Sequence, residues 1–392
     1  MRQLRAVLPI TFADFVVRSA YQMGKSPLLP IFAASLGASD VSLGFIVSVS
    51  TCTGMILKPL IGAFSDLFGQ RLWLLVGTTF FVVMPFVYQF VHTPIQLAVV
   101  RIVHGLATTI YGPVTLAYIS QQSPKYLAER IGWFSIARSG GYIVGPLVAS
   151  WLLLTLSPAT VYTVTGFFSI LAFFPIIGLT ETAPAKIKPS YSLARQVFET
   201  IYIGGRTPSA WLAGSLQSIL YVALYAVKTF LPIYAVSQQV NIAIVGSLFA
   251  IQEITHLLLK PWGGKIGDRK GYVLPVSFGL ALLGLALPLV ASAQNYVYLL
   301  AAFVVMGLAQ ALIVPSMTAL VIKWTDKKSV GATLGLVGTL TNAGKVAGPI
   351  IAGVLINWWQ YSITFQVIGF FLVIVALGLW VSNQFWNSQI DN

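Results

Sequence analysis

Eight charged residues lie inside long apolar stretches of this sequence, and their types set the chemistry that these stretches can do. Two of them are carboxylates, Asp14 and Glu253, and six are basic. Each charge costs roughly 2.5–3.5 kcal/mol at the centre of a membrane helix, even on lenient scales. We therefore expect these side chains to face one another or a water-filled space. The basic members are Arg18, Lys25, Arg101, Arg138, Lys228 and Lys345.

The two carboxylates are the candidates for carrying protons. A buried carboxylate binds or releases a proton as its surroundings change. A protein that moves Asp14 or Glu253 between two environments would couple proton movement to its change of shape. Imidazole also titrates near neutral pH, but we expect His104 and His256 to be packing residues. The sequence thus predicts proton coupling through Asp14 and Glu253.

The basic residues outnumber the carboxylates by six to two, which leaves an excess of four positive charges. Buried cations need counter-ions, so we expect an anionic solute or an anionic group on a solute. Two tyrosines inside the apolar stretches are expected to line the same region. The candidate solute-binding residues are Arg18, Tyr21, Lys25, Arg101, Tyr225, Lys228 and Lys345.

Structural pairing inside the protein is the alternative use of these charges. Neighbouring opposite charges can neutralise one another without any solute. Two carboxylates, however, cannot neutralise six cations by pairing alone. The alternative pairings are Asp14 with Arg18 or Arg138, and Glu253 with Lys345 or Lys260.

The composition indicates the class of protein that holds these charged residues. Of the 392 residues, 57% are hydrophobic and only 8% are charged, against roughly 25% charged in a soluble domain. This excludes a soluble domain and a disordered chain, and it indicates a protein surrounded by lipid. Cys52 is the only cysteine, which excludes an internal disulfide and a cysteine-rich metal site.

Twelve apolar stretches are long enough to cross a bilayer, which takes about 20 residues of helix. The stretches are long and continuous, whereas the strands of a membrane barrel are short and alternate in polarity. We therefore expect an all-α integral membrane protein with twelve transmembrane helices. The predicted spans are 7–33, 41–61, 72–91, 95–120, 131–156, 160–180, 209–236, 242–262, 272–292, 296–322, 330–356 and 361–384.

The basic residues of the inner segments, which include the inner ends of some predicted spans, predict the orientation of the chain. Lys and Arg concentrate in cytoplasmic segments, and seventeen of the 23 fall on one side while the opposite loops hold none. We expect a multi-pass protein of the cytoplasmic membrane with both termini in the cytoplasm. The same residues explain most of the net charge of +13 without nucleic acid. They are Arg2, Arg5, Lys58, Arg71, Lys125, Arg130, Lys186, Lys188, Arg195, Arg206, Lys260, Lys265, Arg269, Lys270, Lys323, Lys327 and Lys328.

The sequence also repeats itself at an offset of 202 to 203 residues. Leu57-Lys58-Pro59 recurs as Leu259-Lys260-Pro261, and Gly105-Leu106-Ala107 recurs as Gly307-Leu308-Ala309. Such a repeat indicates two halves of the same build and orientation. We expect two pseudo-symmetric six-helix bundles, residues 1–180 and 209–392, joined by a cytoplasmic linker at 181–208.

Twelve spans, two parallel halves and a loop motif after the second span together resemble the major facilitator superfamily over the whole chain. The motif runs from Gly62 to Arg71, and its second copy runs from Gly264 to Gly271. The resemblance implies a conformational latch, in which aspartates pair with nearby bases or helix N-termini in one state. A plain surface turn is the alternative. The predicted latch residues are Gly62, Asp66, Gly69, Arg71, Gly264, Asp268, Arg269 and Gly271.

Two further motifs resemble the twelve-helix drug:proton antiporter group of that superfamily. Arg101-Ile102-Val103-His104-Gly105 is similar to its arginine-x-x-glutamine-glycine pattern, with His104 in place of glutamine. Gly141-x-x-x-Gly145-Pro146 resembles its signature in span five. In that group an acidic residue of span one and the arginine of span four take part in proton coupling. The resemblance implies these roles for Asp14 and Arg101.

The glycine and proline spacing also has a direct physical meaning. Gly-x-x-x-Gly lets two helix backbones approach closely, and a proline after it permits a bend. We expect a seam on which one bundle rocks against the other, as alternating access requires. Static packing is the alternative. The predicted seam residues are Gly141, Gly145, Pro146, Gly344, Gly348 and Pro349.

These features predict a secondary active transporter that exports a small amphipathic or anionic organic solute in exchange for protons. The alternatives are an organic-anion importer or uniporter of the same fold, and a non-transporting membrane receptor or assembly factor. The sequence has no phosphate-binding loop, metal-ligand spacing or nucleophile elbow, so we expect no enzyme, catalytic residue, cofactor or metal site. The expected partners are the solute, protons and the lipid bilayer, without nucleic acid, and a monomer is expected.

Overall fold

The computed structural model describes residues 2–122, 127–180, 202, 205–292, 294–325 and 329–390. Every regular element within these ranges is helical. Two short 3₁₀ turns extend helices at Tyr88–Phe90 and Ile170–Ala172. Most of the predicted linker at 181–208 lies outside the described residues.

The chain divides into two compact units, Met1–Gln196 and Val197–Asn392. In the first unit α1 packs against α6, and α3 packs against α5. Its core holds large apolar and aromatic side chains such as Ile10, Phe81 and Tyr111. The helices of this unit are α1 (Arg2–Lys25), α2 (Leu28–Ser35), α3 (Asp40–Phe68), α4 (Gln70–Val87), α5 (Pro94–Gln122), α6 (Leu127–Leu152), α7 (Pro158–Ser169) and α8 (Phe173–Ile177).

The second unit repeats this packing. Its first helix packs against its last, and its second packs against its fourth, as the sequence offset of 202 to 203 residues leads one to expect. The proposed boundaries at 180 and 209 stay a prediction. The helices are α9 (Pro208–Ser237), α10 (Ile242–Lys270), α11 (Val273–Ala291), α12 (Tyr296–Trp324) and α13 (Val330–Ile390).

Nine candidate membrane spans, by length and hydropathy, are present among the described residues. The last of them, Val330–Gln384, contains two helices that meet at Gln360, where φ is 66° and ψ is 171°. Helices α1 and α6 are also long, with 24 and 26 residues, but they carry several of the intramembrane charges. The chain is therefore an all-helical, multi-pass membrane protein, while the number twelve stays a prediction.

One predicted span is interrupted in the structure. The sequence predicts a single crossing over 7–33, but α1 ends at Lys25 and α2 begins at Leu28. Pro27 explains the break, because proline has no N–H to donate and disfavours helical geometry in the residue before it. Lys25 consequently occupies a helix C-terminus, where a positive charge is favoured.

Sequence also explains where the long helices start and end. Ser39, Ser157 and Asn241 accept hydrogen bonds from backbone N–H groups in the first turn of α3, α7 and α10, which satisfies donors that have no helical partner. Gly69 and Gly271 follow α3 and α10 with φ of 93° and 81°. Residues with side chains rarely adopt such values, so glycine is needed at both positions of the repeated turn.

Candidate functional site

The first unit buries an ion pair between α1 and α6. Asp14 is fully buried, and Arg138 donates to both of its carboxylate oxygens at 3.0 and 2.9 Å. Arg18, one turn along α1, lies farther away, with 3.8 Å between Nη2 and Oδ1. Of the two pairings considered from sequence, the structure thus has both, with Arg138 as the principal partner. Bidentate geometry of this kind is strong and fixes both side chains.

Arg101 forms a separate buried cluster. Its Nη2 donates to the Ser50 hydroxyl at 2.7 Å, and its Nη1 lies 3.5 Å from the Tyr88 hydroxyl. Tyr88 also bonds His104 Nδ1 at 3.0 Å and stacks on Tyr162 at 3.7 Å between ring centroids. His104 is therefore a packing residue of this cluster. The resemblance implies that Asp14 and Arg101 both take part in proton coupling. In the structure Asp14 bonds Arg138, whereas Arg101 bonds Ser50.

The predicted solute-binding residues of α1 form one stripe on that helix. Arg18, Tyr21 and Lys25 follow Asp14 at helical spacing, so all four share a face. Lys25 Nζ lies 5.5 Å from the centre of the Tyr21 ring and 3.5 Å from Thr51 Oγ1. The stripe combines positive charge with an aromatic surface, which suits an amphipathic anion.

Lys58 belongs beside this stripe, although sequence reasoning counted it with the cytoplasmic segments, at the end of the predicted span 41–61. Helix α3 continues to Phe68, so Lys58 lies inside it. Its Cε atom is 3.6 Å from where a Cβ would lie at Gly54 and 3.7 Å from where one would lie at Gly112. Lys58 lies within electrostatic reach of Tyr21 and Arg18. The motif Gly-x-x-x-Lys was the only signal in the sequence that could have found it.

The carboxylate of the second unit pairs with a histidine. Glu253 and His256 lie one turn apart on α10, with 3.6 Å between Oε1 and Nδ1. Lys228 of α9 and Lys260 lie within electrostatic reach of Glu253. Sequence reasoning considered Lys345 or Lys260 as the partner and favoured a packing role for His256. In the structure Glu253 instead has His256 within 3.6 Å, because a spacing of three residues brings helical side chains together.

Lys345 reproduces in the second unit an arrangement found in the first. Its Nζ lies 4.5 Å from the centre of the Tyr221 ring, and Tyr221 contacts Tyr225 edge-on at 6.1 Å. In the first unit the Arg18 guanidinium lies 5.9 Å from the Tyr142 ring. At an offset of 203, Arg18 corresponds to Tyr221 and Tyr142 corresponds to Lys345. The two units thus share a cation–ring pair at equivalent positions, with the two partners exchanged between the helices.

The predicted seam glycines are sites of close helix contact inside each unit. A Cβ at Gly145 would lie 2.5 Å from Gln22 Cβ and 2.7 Å from the Ser19 carbonyl oxygen, both on α1. A Cβ at Gly344 or Gly348 would overlap backbone carbonyls of α9. Gly141 packs on α1 in the same way, and Pro146 and Pro349 lie within α6 and α13. A role in moving one bundle against the other stays a prediction.

The predicted latch residues surround the two glycine turns. Asp268 accepts a hydrogen bond from the Tyr272 hydroxyl at 3.2 Å, and Arg71 donates to the Ile177 carbonyl at 2.7 Å. Gly264 and Arg269 lie on α10. The surroundings of Gly62 and the side chain of Asp66 lie outside the described part of the chain. The turn itself is thus established at Gly69 and Gly271, while latching stays a prediction.

Known proteins are similar to this chain in sequence or in fold. The chain is 24% identical over 353 residues to an uncharacterised MFS-type transporter of Methanocaldococcus jannaschii, covering 88% of this chain and 91% of that protein. It is 23% identical over 366 residues to the quinolone resistance protein NorA of Staphylococcus aureus, covering 90% of each. A crystal structure of the nucleoside transporter NupG matches with a TM-score of 0.78 at 17% identity, over 96% of this chain and 98% of that one.

The sequence profile of the Major Facilitator Superfamily matches residues 10–243 and 213–384, which together span most of the chain. The helical fold and the relatives agree with this match. Ionisable side chains within membrane-spanning helices often mark a substrate or ion pathway. The protein belongs to the Major Facilitator Superfamily and is a transporter rather than an enzyme.

Proposed function

We propose that this protein is a secondary active transporter that exports a small anionic or amphipathic organic solute in exchange for protons. It works as a monomer in the cytoplasmic membrane, with twelve spans and both termini in the cytoplasm. Residues 1–180 and 209–392 form its two bundles, and residues 181–208 link them in the cytoplasm. Alternating access moves the solute across the membrane.

The observation that carries the proposal is the positive charge of the first unit. Asp14 already holds Arg138 through two hydrogen bonds, so it leaves Arg18 only a contact at 3.8 Å. Lys25 lies beside the Tyr21 ring on the same face of α1. A solute with an anionic group and an apolar body would neutralise this charge and pack on the ring.

Two considerations bear on the direction of transport. The name of NorA, a quinolone resistance protein, fits efflux, although fold alone does not decide direction. The second candidate function is import or uniport of an organic anion, which the same cations would serve equally well. Flux measured from each side of the membrane separates the two.

Proton coupling is assigned to the two buried carboxylates. Asp14 and Glu253 each contact a basic side chain, Arg138 for the first and His256 for the second. A change of conformation that separates either pair would change the proton affinity of the carboxylate. The repeated glycine turns and the glycine seams are proposed to latch and guide that change.

Lys25→Ala and Lys228→Ala are each expected to weaken transport of organic anions by about tenfold, because each removes one charge-assisted contact. Transport of lipophilic cations should change by less than about twofold. The measurement is initial flux of both solute classes into proteoliposomes. Lys265→Ala is the matched control, because Lys265 is exposed on α10.

An equal loss for anions and cations would make Lys25 and Lys228 structural residues. A wild-type protein that binds these solutes but gives no flux of either class would favour the non-transporting receptor instead.

A further inference from the structure

The Lys58 side chain extends in a direction that is unusual for a lysine near the end of a membrane span. A lysine near the cytoplasmic end of a span ordinarily extends its ammonium towards the headgroups. Side chains on a helix lean towards its N-terminus, and one turn in that direction α3 has Gly54. The Lys58 stem lies against Gly54 and against Gly112 of α5, with its Cε 3.6 and 3.7 Å from the two positions where a Cβ would lie. The two glycines thus leave a track that leads the ammonium away from the end of α3.

The repeat supplies an internal comparison for this track. At an offset of 202, Lys58 corresponds to Lys260, but Gly54 and Gly112 correspond to His256 and Val314. Lys58 is half-buried, whereas Lys260 is exposed. The lysine is therefore common to both halves, and the side-chain-free track beside it exists only in the first.

The track leads towards positive charge rather than towards a carboxylate. Lys58 lies within electrostatic reach of Arg18, Lys25 and Arg138. Among the described side chains of the first unit, Asp14 and Asp40 are the carboxylates. Asp14 is bound by Arg138, and Asp40 is in the first turn of α3, about 27 Å along the helix from Lys58.

Lys58 makes no hydrogen bond or ion pair with another described residue. Among the described residues, the carboxylate that Arg18 contacts is Asp14, and Arg138 lies closer to that carboxylate than Arg18 does. Gathering like charges in a membrane is unfavourable unless an anion joins them. A single anionic group bound beside Lys25 and Tyr21 cannot also neutralise Arg18 and Lys58.

We propose that Lys58 is a specificity-determining residue that, together with Arg18, binds a second anionic group of the solute. The substrates are then organic acids that carry two or more negative charges. This inference rests on the proposed transport of anions and narrows its substrate class. Lys260, its counterpart in the repeat, has no such role.

The test uses two probes that share one aromatic body, 1-naphthalenesulfonate with one charge and 1,5-naphthalenedisulfonate with two. The affinity of the purified full-length protein for each probe is measured by titration calorimetry. The wild-type protein is expected to bind the disulfonate about tenfold more tightly, as one additional charge-assisted contact provides. Lys58→Ala should abolish this preference and leave monosulfonate affinity within about twofold.

Three further variants test whether the preference depends on the charge of Lys58, on its position, or on both. Lys58→Arg retains the charge and should retain the preference. Lys260→Ala removes the equivalent lysine of the repeat and should also retain it. Gly112→Val keeps Lys58 but fills its track, and it should reduce the preference several-fold. Monosulfonate binding reports whether each variant is folded.

The outcomes distinguish this inference from the proposed function. A wild-type protein that binds both probes equally, or a preference that survives Lys58→Ala, would overturn the inference and leave anion transport standing. A Lys260→Ala variant that loses the preference as fully as Lys58→Ala would overturn it as well. Failure of both probes to bind the wild-type protein would overturn the anion site and the inference together.

Discussion

Asp14→Asn is expected to destabilise the protein by about 3–5 kcal/mol, because it leaves the partly buried Arg138 charge without its bidentate partner. Adding Arg138→Gln should restore most of that stability, since two neutral amides can replace the ion pair in the same space. The measurement is the thermal unfolding of each purified variant in the same detergent. Asp268→Asn is the control and should cost less than about 1 kcal/mol, because that carboxylate is exposed.

The double variant also tests the role of Asp14 in coupling. If Asp14 carries the proton, Asp14→Asn with Arg138→Gln should exchange solute across the membrane but should no longer respond to a pH gradient. An unchanged pH dependence would remove Asp14 as the coupling residue and leave Glu253. A double variant as unstable as Asp14→Asn alone would show that the pair is not the source of the stability.

Gly344→Ala and Gly348→Ala are expected to prevent the close packing of α13 on α9. A methyl group at either position would overlap the carbonyl of Ser218 or Val222, and backbone cannot move aside as a flexible side chain can. We expect each variant to lose about 1–3 kcal/mol of stability and most of its transport. Thermal unfolding and solute flux in proteoliposomes measure the two effects.

Gly338→Ala is the matched control for these variants. It lies on the same helix, is exposed, and has no atom within 4 Å of the position of its Cβ. Alanine should stabilise that turn slightly, because it favours helix over glycine. Wild-type stability in Gly344→Ala or Gly348→Ala would contradict the close approach and leave the seam without a structural basis.

The sequence was informative about the features that depend on many residues. Hydrophobic stretches of membrane length predict helices, because in lipid a helix pairs its backbone N–H and C=O groups within one segment, whereas strands must close into a barrel to do so. The glycines of the seam and of the turn could be found by spacing, and Gly69 and Gly271 do adopt the positive φ that turns require. The repeat predicted two halves of the same build, and equivalent helices pack together in the two units.

Features that depend on one side chain were harder to predict. Lys58 lies near the end of the predicted span 41–61 and was counted with the cytoplasmic segments, whereas α3 continues for ten more residues. Arg138 could not be chosen over Arg18 as the partner of Asp14, because sequence spacing does not give distances between helices. The prediction of His256 as a packing residue missed its contact with Glu253, although a spacing of three on one helix already allowed it.

Proton flux into proteoliposomes tests the proposed function most directly. The purified protein is reconstituted with a trapped pH-sensitive dye, a pH gradient is imposed, and organic anions and then lipophilic cations are added. We predict that anions trigger proton movement and that cations do not, and Lys25, Lys58, Arg101 and Lys228 are then the first residues to substitute. Proton movement triggered only by cations would contradict the proposal. The buried basic residues would then be structural, and the protein would be a cation exporter built around Asp14 and Glu253.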